Sequence, residues 1–211
     1  MISQADSIMG PPCPGDALWQ PGRGDSRLLF MARPDDAARA MFDASTREMT
    51  IQAQLGTKMF PLANWHQSLS DRYVDTPTVR ARLLQAGDAV RAQALTLELD
   101  RLKAARNPRG LFNVEVRSSQ ASGALAQLVL LINQSVAGQG LAQGGNHLPH
   151  VTLSYVFDRE LRRQQQRIRS IEWIIDSFEL VVGGGDPYVY QTLGRWPLAP
   201  TVPHISQSSL F

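Results

Sequence analysis

Two short segments of the sequence combine a histidine with hydroxyl side chains at the same spacing. They span His66–Ser70 and His150–Ser154, and each reads His-x-(Ser/Thr)-Leu-Ser. Because side chains i, i+2 and i+4 of a strand share one face, each segment is predicted to present an imidazole and two hydroxyls on one side, with leucine on the other. Two such strands on either side of a cleft would offer one ligand two proton-transfer groups and several hydroxyl donors.

This arrangement suits chemistry on a phosphate ester without a metal. An imidazole gives or takes a proton near neutral pH because its ordinary pKa is about 6.5. Displacement at phosphorus needs a base for the nucleophile and an acid for the leaving oxygen. We therefore predict His66 and His150 as the catalytic pair. Ser68 and Thr152 are predicted to donate hydrogen bonds to the phosphate oxygens, where negative charge grows in the transition state.

Two other interpretations of the histidines are less favoured. A zinc site would need a third ligand, and the sequence has neither His-x-His nor His-x-x-x-His spacing. The remaining histidines, His147 and His204, fall in a predicted loop and tail, and strand parity directs His147 away from His150. A serine hydrolase is disfavoured because no Gly-x-Ser-x-Gly segment is present. We predict neither a metal nor a cofactor.

Composition indicates an ordinary globular protein. The 211 residues are 43% hydrophobic and 19% charged, with a net charge of +2. This small charge argues against a broad nucleic-acid-coating surface, although a local basic cleft remains open. The single cysteine, Cys13, excludes an intrachain disulfide and a cysteine-based zinc site. Neither a secretory signal nor a long apolar run is recognisable, so we expect a cytoplasmic protein without membrane contact.

Periodicity and turn residues predict an alternation of strands and helices. Predicted strands and helices are, in order, strand Arg27–Ala32, helix Asp35–Arg47, strand Met59–Leu62, helix Val79–Val90, strands Leu95–Lys103 and Leu111–Arg117, a helix from Ser122 to Val136, strand His150–Phe157, a polar helix or loop Asp158–Arg169, and a hairpin of Trp173–Val182 and Tyr188–Trp196. A helix precedes each histidine strand.

The two halves of this pattern echo each other. We therefore predict an α+β fold of two similar lobes related by pseudo-twofold symmetry, with antiparallel sheets lining a central groove and helices outside. Residues 1–26 are predicted to be an irregular leader, residues 27–198 one bilobal domain, and residues 199–211 a loosely ordered tail.

The motifs resemble those of the 2H phosphoesterase superfamily, and within it the RNA 2′,3′-cyclic phosphodiesterases, also called 2′-5′ RNA ligases. The resemblance extends from about Arg27 to Leu198. Its segments are Asn64–Leu69, Pro149–Leu153, Phe178–Val181, Tyr188 and Arg195–Leu198.

The resemblance implies a metal-free enzyme that opens 2′,3′-cyclic phosphates to 2′-phosphates, and family members also join or split 2′-5′ RNA linkages. It assigns catalysis to His66 and His150 and phosphate binding to Ser68 and Thr152. We expect His150 to be the base and His66 the acid in hydrolysis, with the roles exchanged in ligation. The expected partner is RNA with a terminal 2′,3′-cyclic phosphate or a cyclic nucleotide, not DNA, and the expected state is a monomer.

Some residues leave the substrate open. Tyr155 stands where RNA ligase-like members often have Ala-Arg after Thr-Leu, and other superfamily members act on small cyclic nucleotides, ADP-ribose cyclic phosphate or 2′-5′ oligoadenylates. Arginines at 72, 106, 109 and in the 162–169 cluster either contact RNA phosphates or form a solvated basic face, and the solvated face is favoured. The alternative function is a non-catalytic module that binds a nucleotide or RNA end in the same groove.

Overall fold

The structure is a computed structural model that describes residues 26–158, 165–185 and 188–201. Nine strands and four helices follow one another along these residues. Their bounds are β1 (Arg27–Ala32), α1 (Asp36–Glu48), α2 (Ile51–Leu55), β2 (Gln67–Ser68), β3 (Tyr73–Val74), α3 (Pro77–Ala89), β4 (Leu95–Arg106), β5 (Phe112–Arg117), α4 (Gly123–Gly138), β6 (His150–Phe157), β7 (Gln165–Ile175), β8 (Ser177–Gly184) and β9 (Val189–Pro197).

The strands form two antiparallel sheets. The first has the order β2-β1-β8-β9, with β3 paired to the other half of β1, and the second has the order β6-β5-β4-β7. Helix α3 packs on β8 and β9, whereas α1 contacts β7 and α4 contacts β4. This two-lobed α+β arrangement confirms the predicted fold class. No helix in the described part of the chain is long and apolar enough to cross a membrane.

Polar caps explain where the three long helices begin. Asp35 accepts a hydrogen bond from the Ala38 N–H at 2.7 Å, and Ser122 accepts one from the Leu125 N–H at 3.2 Å. Thr76 caps α3 in the same way. Each cap satisfies an N–H that the first helical turn leaves without a partner, which stabilises the helix by about 1 kcal/mol. These caps agree with the predicted helix starts to within about two residues.

A cluster of aromatic rings anchors the first histidine segment in the core. The ring of Phe42, on α1, lies edge-on to Trp65 at 5.8 Å and to Trp173, on β7, at 6.2 Å. All three side chains are buried, and the Trp65 indole donates to the carbonyl of Phe60. Because Trp65 immediately precedes His66, this packing restrains the backbone that carries the first imidazole.

The predicted strand Met59–Leu62 is wrong. Short 3₁₀ turns at Gly56–Lys58 and Leu62–Asn64 flank this segment instead. Pro61 has no N–H to donate to a ladder, which disfavours a regular strand here. The segment still contacts the second lobe, because the Phe60 N–H donates to the carbonyl of Leu153 on β6 at 2.8 Å.

The chain between the two sheets also differs from prediction. Residues from Gln165 onward are not helix or loop but the start of β7, while residues 159–164 of the predicted segment lie outside the described residues. The predicted strand Trp173–Val182 is two strands in different sheets, separated at Asp176. The start of β7 was missed because an end strand can carry polar residues on an exposed face. The last residues of β7 are buried like those of β8, so the two strands were predicted as one.

The predicted leader and tail are described only in part. Residues 1–25 and 202–211 lie outside the described residues. Residues 199–201 pack beside the segment before β4, where Ala199 forms a parallel bridge with Gln93. The Ala94 N–H donates to the carbonyl of Ala199 at 2.7 Å. The first three residues of the predicted tail are therefore attached to the fold.

Candidate active site

The two histidine motifs lie on the end strands of the two sheets. His66 immediately precedes β2, and His150 is the first residue of β6. Ser68 stands opposite Met31 on β1, and Thr152 stands opposite Glu115 on β5. Cross-strand partners share a face of the sheet, so the buried strands β1 and β5 determine where the motif side chains point.

The same local hydrogen bond holds each imidazole. His66 Nδ1 lies 2.7 Å from the carbonyl oxygen of Asn64, and His150 Nδ1 lies 2.8 Å from that of Leu148. A carbonyl only accepts, so Nδ1 carries the hydrogen in each neutral ring, and Nε2 is the nitrogen that can take a proton. In both motifs the acceptor is the residue two positions before the histidine. The sequence repeat is therefore also a repeat in structure.

Gln67 connects the two motifs. Its side chain is fully buried, and its Oε1 accepts a hydrogen bond from the His150 N–H at 2.7 Å. Its Nε2 donates to the carbonyl of Leu148 at 3.2 Å and to that of Ser68 at 2.8 Å. The side chain of Gln67 thus joins the end strands of the two sheets. It forms hydrogen bonds with backbone groups that a neighbouring strand would otherwise bind. The sequence offered no periodic signal for this role.

The surroundings of His66 keep its imidazole neutral. The pKa of His66 is lowered to about 3, chiefly by burial and also by the charges of Arg72, His150 and Arg33, against the opposing effect of the Asn64 carbonyl. At neutral pH His66 is therefore uncharged, with Nε2 unprotonated.

An arginine and two tyrosines adjoin His66, and we call them the Arg72 cluster; its members are Arg72, Tyr188 and Tyr190. Arg72 is only 5% exposed, and its Nη2 donates to the Tyr190 hydroxyl at 3.4 Å. The Tyr190 ring is edge-on to the His66 ring at 5.1 Å and to the Tyr188 ring at 5.2 Å. The prediction that Arg72 belongs to a solvated basic face is therefore wrong. Arg72 lies between β2 and β3, so no strand periodicity extends to it.

Close packing against β8 accommodates both of these tyrosines. A Cβ at Gly183 would lie 2.0 Å from the Tyr188 hydroxyl oxygen and 2.8 Å from a ring carbon of Tyr190. Any side chain at this position would displace the tyrosines. Glycine at 183 is thus required by the close approach of the cluster rather than by backbone freedom.

The second hydroxyl of each motif is structural. Ser70 Oγ accepts from the Phe30 N–H at 2.9 Å and donates to the Asp71 carbonyl at 2.8 Å. Ser154 is fully buried and accepts from the Val156 N–H at 3.3 Å. The predicted pair of hydroxyls on each strand face therefore reduces to one candidate donor per motif, which is Ser68 in the first and Thr152 in the second.

The loop before the second motif is attached to the segment after the first. His147 Nε2 lies 3.4 Å from Asp71 Oδ1, and the Gly145 N–H donates to Asp71 Oδ2 at 3.3 Å. Within residues 26–158, 165–185 and 188–201, no group of three or more His, Cys, Asp or Glu side chains could hold a metal ion. The contacts of His147 join the lobes beside the groove.

The lowered pKa of His66 predicts a loss of stability in mild acid. The unfolded chain binds a proton on this imidazole near pH 6.5, whereas the folded protein does so only near pH 3. Between these values the unfolded state binds more protons, so the free energy of unfolding falls as pH is lowered through this window. Urea titrations between neutral pH and mild acid should show the decline.

The variant His66→Asn isolates this contribution, because every other titrating group is retained. Its stability should depend less steeply on pH than that of the wild type over the same window. An identical slope in the two proteins would mean that His66 titrates normally in the folded state.

Comparisons with known proteins identify the fold. No family model matches the sequence, and no curated protein is significantly similar to it. Among solved structures, apo LigT of E. coli superposes with a TM-score of 0.63 at 21% identity, covering 83% of this chain and 99% of that one. A crystal structure named only as a phosphoesterase gives 0.64 at 21% identity, covering 82% and 99%.

A third similar structure, TT0787 of Thermus thermophilus, has a TM-score of 0.63 at 16% identity and covers 83% of this chain and 100% of that one. At such identities the likeness establishes the fold. It extends over almost the whole of each known structure. The two-lobed LigT-like α+β fold implied by the motif resemblance is therefore confirmed.

Proposed function

We propose that the protein is a metal-independent phosphodiesterase that opens 2′,3′-cyclic phosphates, on RNA ends or nucleotides, to 2′-phosphates. One observation carries the proposal: two imidazoles, each held through Nδ1 by the carbonyl two residues earlier, stand at the end strands of two sheets, and the side chain of Gln67 joins these strands by accepting from the His150 N–H. Each can exchange a proton through Nε2. Two such groups supply the base and the acid that displacement at phosphorus requires.

The neutral state of His66 suggests how the roles are divided. Neutral His66 takes a proton from water through Nε2 as the water oxygen bonds to phosphorus. The bond from phosphorus to the 3′ oxygen breaks, and protonated His150 gives its Nε2 proton to that oxygen, which leaves a 2′-phosphate. This order is the reverse of the one we expected from the sequence. It starts from the neutral form of His66, since the base must be unprotonated at the start. The same lowered pKa makes His66 a weak base, so the pH dependence of kcat decides between the two orders.

The similar structures support a nucleotide or RNA end as substrate. Crystal structures of E. coli LigT include complexes with ATP, NADP⁺, phosphate and 3′-AMP. That protein shares the two-lobed fold with this chain. By analogy, we propose a phosphoesterase or ligase-type activity here, on a nucleotide or RNA end and in the cytoplasm, and we include making or splitting of 2′-5′ linkages among the reactions to be assayed.

Ser68 and Thr152 are proposed to donate hydrogen bonds to the non-bridging phosphate oxygens. Thr152 is 7% exposed and Ser68 is partly buried, so a bond to either hydroxyl would form away from bulk water. Removing one preorganised donor to a developing oxyanion costs about 2–4 kcal/mol of barrier. We therefore expect Ser68→Ala to lower kcat by about 10²-fold or more, measured with a 2′,3′-cyclic nucleotide.

The matched control for this substitution is Ser170→Ala. Ser170 is an exposed serine on β7 whose hydroxyl donates to Glu98 at 2.8 Å. Its removal should leave kcat unchanged. If Ser68→Ala retained the rate of this control, Ser68 would have no part in stabilising the transition state.

The proposed activity is tested with a panel of 2′,3′-cyclic nucleotides, an RNA with a cyclic-phosphate end and a 2′-5′ dinucleotide, each in the presence of EDTA. We expect turnover in EDTA and a 2′-phosphate as the product. Tight binding of 2′-AMP without hydrolysis of any substrate would instead favour the non-catalytic binding module. Activity that disappears in EDTA and returns with a divalent metal would contradict the mechanism.

A further inference from the structure

Arg72 is a buried cation beside the proposed catalytic pair. It lies between β2 and β3, in the segment that continues from the first motif, and it is 5% exposed. Its Nη2 donates to the Tyr190 hydroxyl at 3.4 Å, and the Tyr190 ring contacts the ring of His66. A guanidinium presents planar paired donors that match two oxygens of a phosphate.

The charge of Arg72 also acts on the segment of the second motif. Tyr155 lies on β6 three residues after Thr152, the proposed phosphate donor of that motif, and Thr152 lowers the pKa of Tyr155. The positive charge of Arg72 lowers the pKa of Tyr155 as well as that of Tyr190, to which it also donates a hydrogen bond. Arg72 therefore acts electrostatically on a side chain of each motif segment, His66 in the first and Tyr155 in the second.

The tyrosines remain hydrogen-bond donors. Burial raises the pKa of Tyr155 to about 12, and burial also raises the pKa of Tyr190, in each case against the opposing effect of Arg72. At neutral pH both phenols are thus protonated and uncharged. An anion that enters between them would meet one fixed positive charge and two neutral O–H groups, in a place where little water competes.

We infer that Arg72, with the hydroxyls of Tyr155 and Tyr190, forms an anion subsite that binds the non-bridging oxygens of the substrate phosphate. This inference rests on the proposed function and specifies how the same groove binds a phosphate ester. Arg72 neutralises the phosphate charge, while the tyrosines fix the direction from which the oxygens approach His66. The subsite should also bind inorganic phosphate and the 2′-phosphate product.

Direct binding tests the subsite independently of catalysis. Isothermal titration with inorganic phosphate and with 2′-AMP should show about 10- to 100-fold weaker binding by Arg72→Met, because a hydrogen bond to a charged group is lost. Tyr155→Phe keeps the ring and loses only the donor, so it should weaken binding by about two- to tenfold. The matched control is Arg80→Met, an arginine on α3 paired with Asp75, which should bind like the wild type.

A second readout separates a charge effect from loss of packing. Arg72 lowers the pKa of His66, so Arg72→Met should raise that pKa in an NMR titration, whereas Arg72→Lys, which keeps the charge, should raise it less. If Arg72→Met does not fold, Arg72→Lys and Tyr155→Phe still test the subsite through phosphate affinity.

The outcomes distinguish this inference from the proposed function. Wild-type affinity for phosphate and 2′-AMP in all three folded variants would overturn the subsite, even if the enzyme hydrolyses cyclic phosphates. Binding that depends on Arg72 in a protein that hydrolyses no cyclic phosphate would support the subsite and overturn the proposed function.

Discussion

Replacing either motif histidine by asparagine is expected to lower kcat for a 2′,3′-cyclic nucleotide by about 10²- to 10⁴-fold. Asparagine is the sharpest substitution because its amide N–H can replace Nδ1 and keep the hydrogen bond to the carbonyl of Asn64 or Leu148. Only Nε2, the proposed proton-transfer atom, is lost. Binding of 2′-AMP should weaken much less than kcat, because Arg72 and the hydroxyls remain.

The double variant gives a further test of the pair. Groups that act in one step are not additive, so His66→Asn combined with His150→Asn should be about as slow as the slower single variant. The control is His147→Gln, which removes a neighbouring imidazole that contacts Asp71 and should lose far less turnover. A single variant of the pair with wild-type kcat would remove the two-histidine mechanism.

Replacing Gln67 by leucine is expected to lower both stability and turnover. The change keeps the side-chain volume but leaves the partly buried His150 N–H without its acceptor, which costs about 1 kcal/mol or more of stability. The carbonyl of Leu148 also loses one of its two donors, while it still accepts from His150 Nδ1. Because a displacement of about 1 Å can cost about 10²-fold in rate, we expect kcat to fall by at least about tenfold with a smaller change in KM.

Gln67 is proposed as a positioning residue, so its test needs a signal from His150 itself. The Nδ1 resonance of His150 should shift in Gln67→Leu, because the carbonyl that holds this atom is displaced. The matched control is Gln52→Leu, which removes a partly buried amide that donates to Asp43 and Thr46 away from the groove. It should lose comparable stability at unchanged kcat. Equal kcat in the two variants would assign Gln67 a structural role alone.

The local elements of the fold were predictable because their signals are local. Cap residues such as Asp35 and Ser122 satisfy N–H groups within three residues, so composition alone indicates where those helices start. The alternation of Leu95, Thr96 and Leu97 reflects one buried and one exposed face of β4. The polar start of β7 gave no such alternation, because an end strand tolerates polar residues. Its apolar end gave no sign of where β7 stops and β8 begins, because an apolar run does not reveal which sheet it joins.

The candidate site was predictable only for residues that repeat. His66, Ser68, His150 and Thr152 share a spacing that strand geometry explains. By contrast, Gln67 acts through a hydrogen bond with the backbone of His150 on the other lobe. Arg72 acts through a contact with Tyr190 on the distant β9. Such contacts depend on how the two lobes pack, and no short-range pattern encodes that packing.

The central claim is that both imidazoles contact the same phosphate. The most direct test follows the ring nitrogen resonances of His66 and His150 by NMR while 2′-AMP is added in EDTA. We expect both signals to shift together with one dissociation constant, and the His150 shift to persist, at a weaker constant, in His66→Asn. Resonances that respond with different constants, or a ring that does not respond at all, would contradict the shared site.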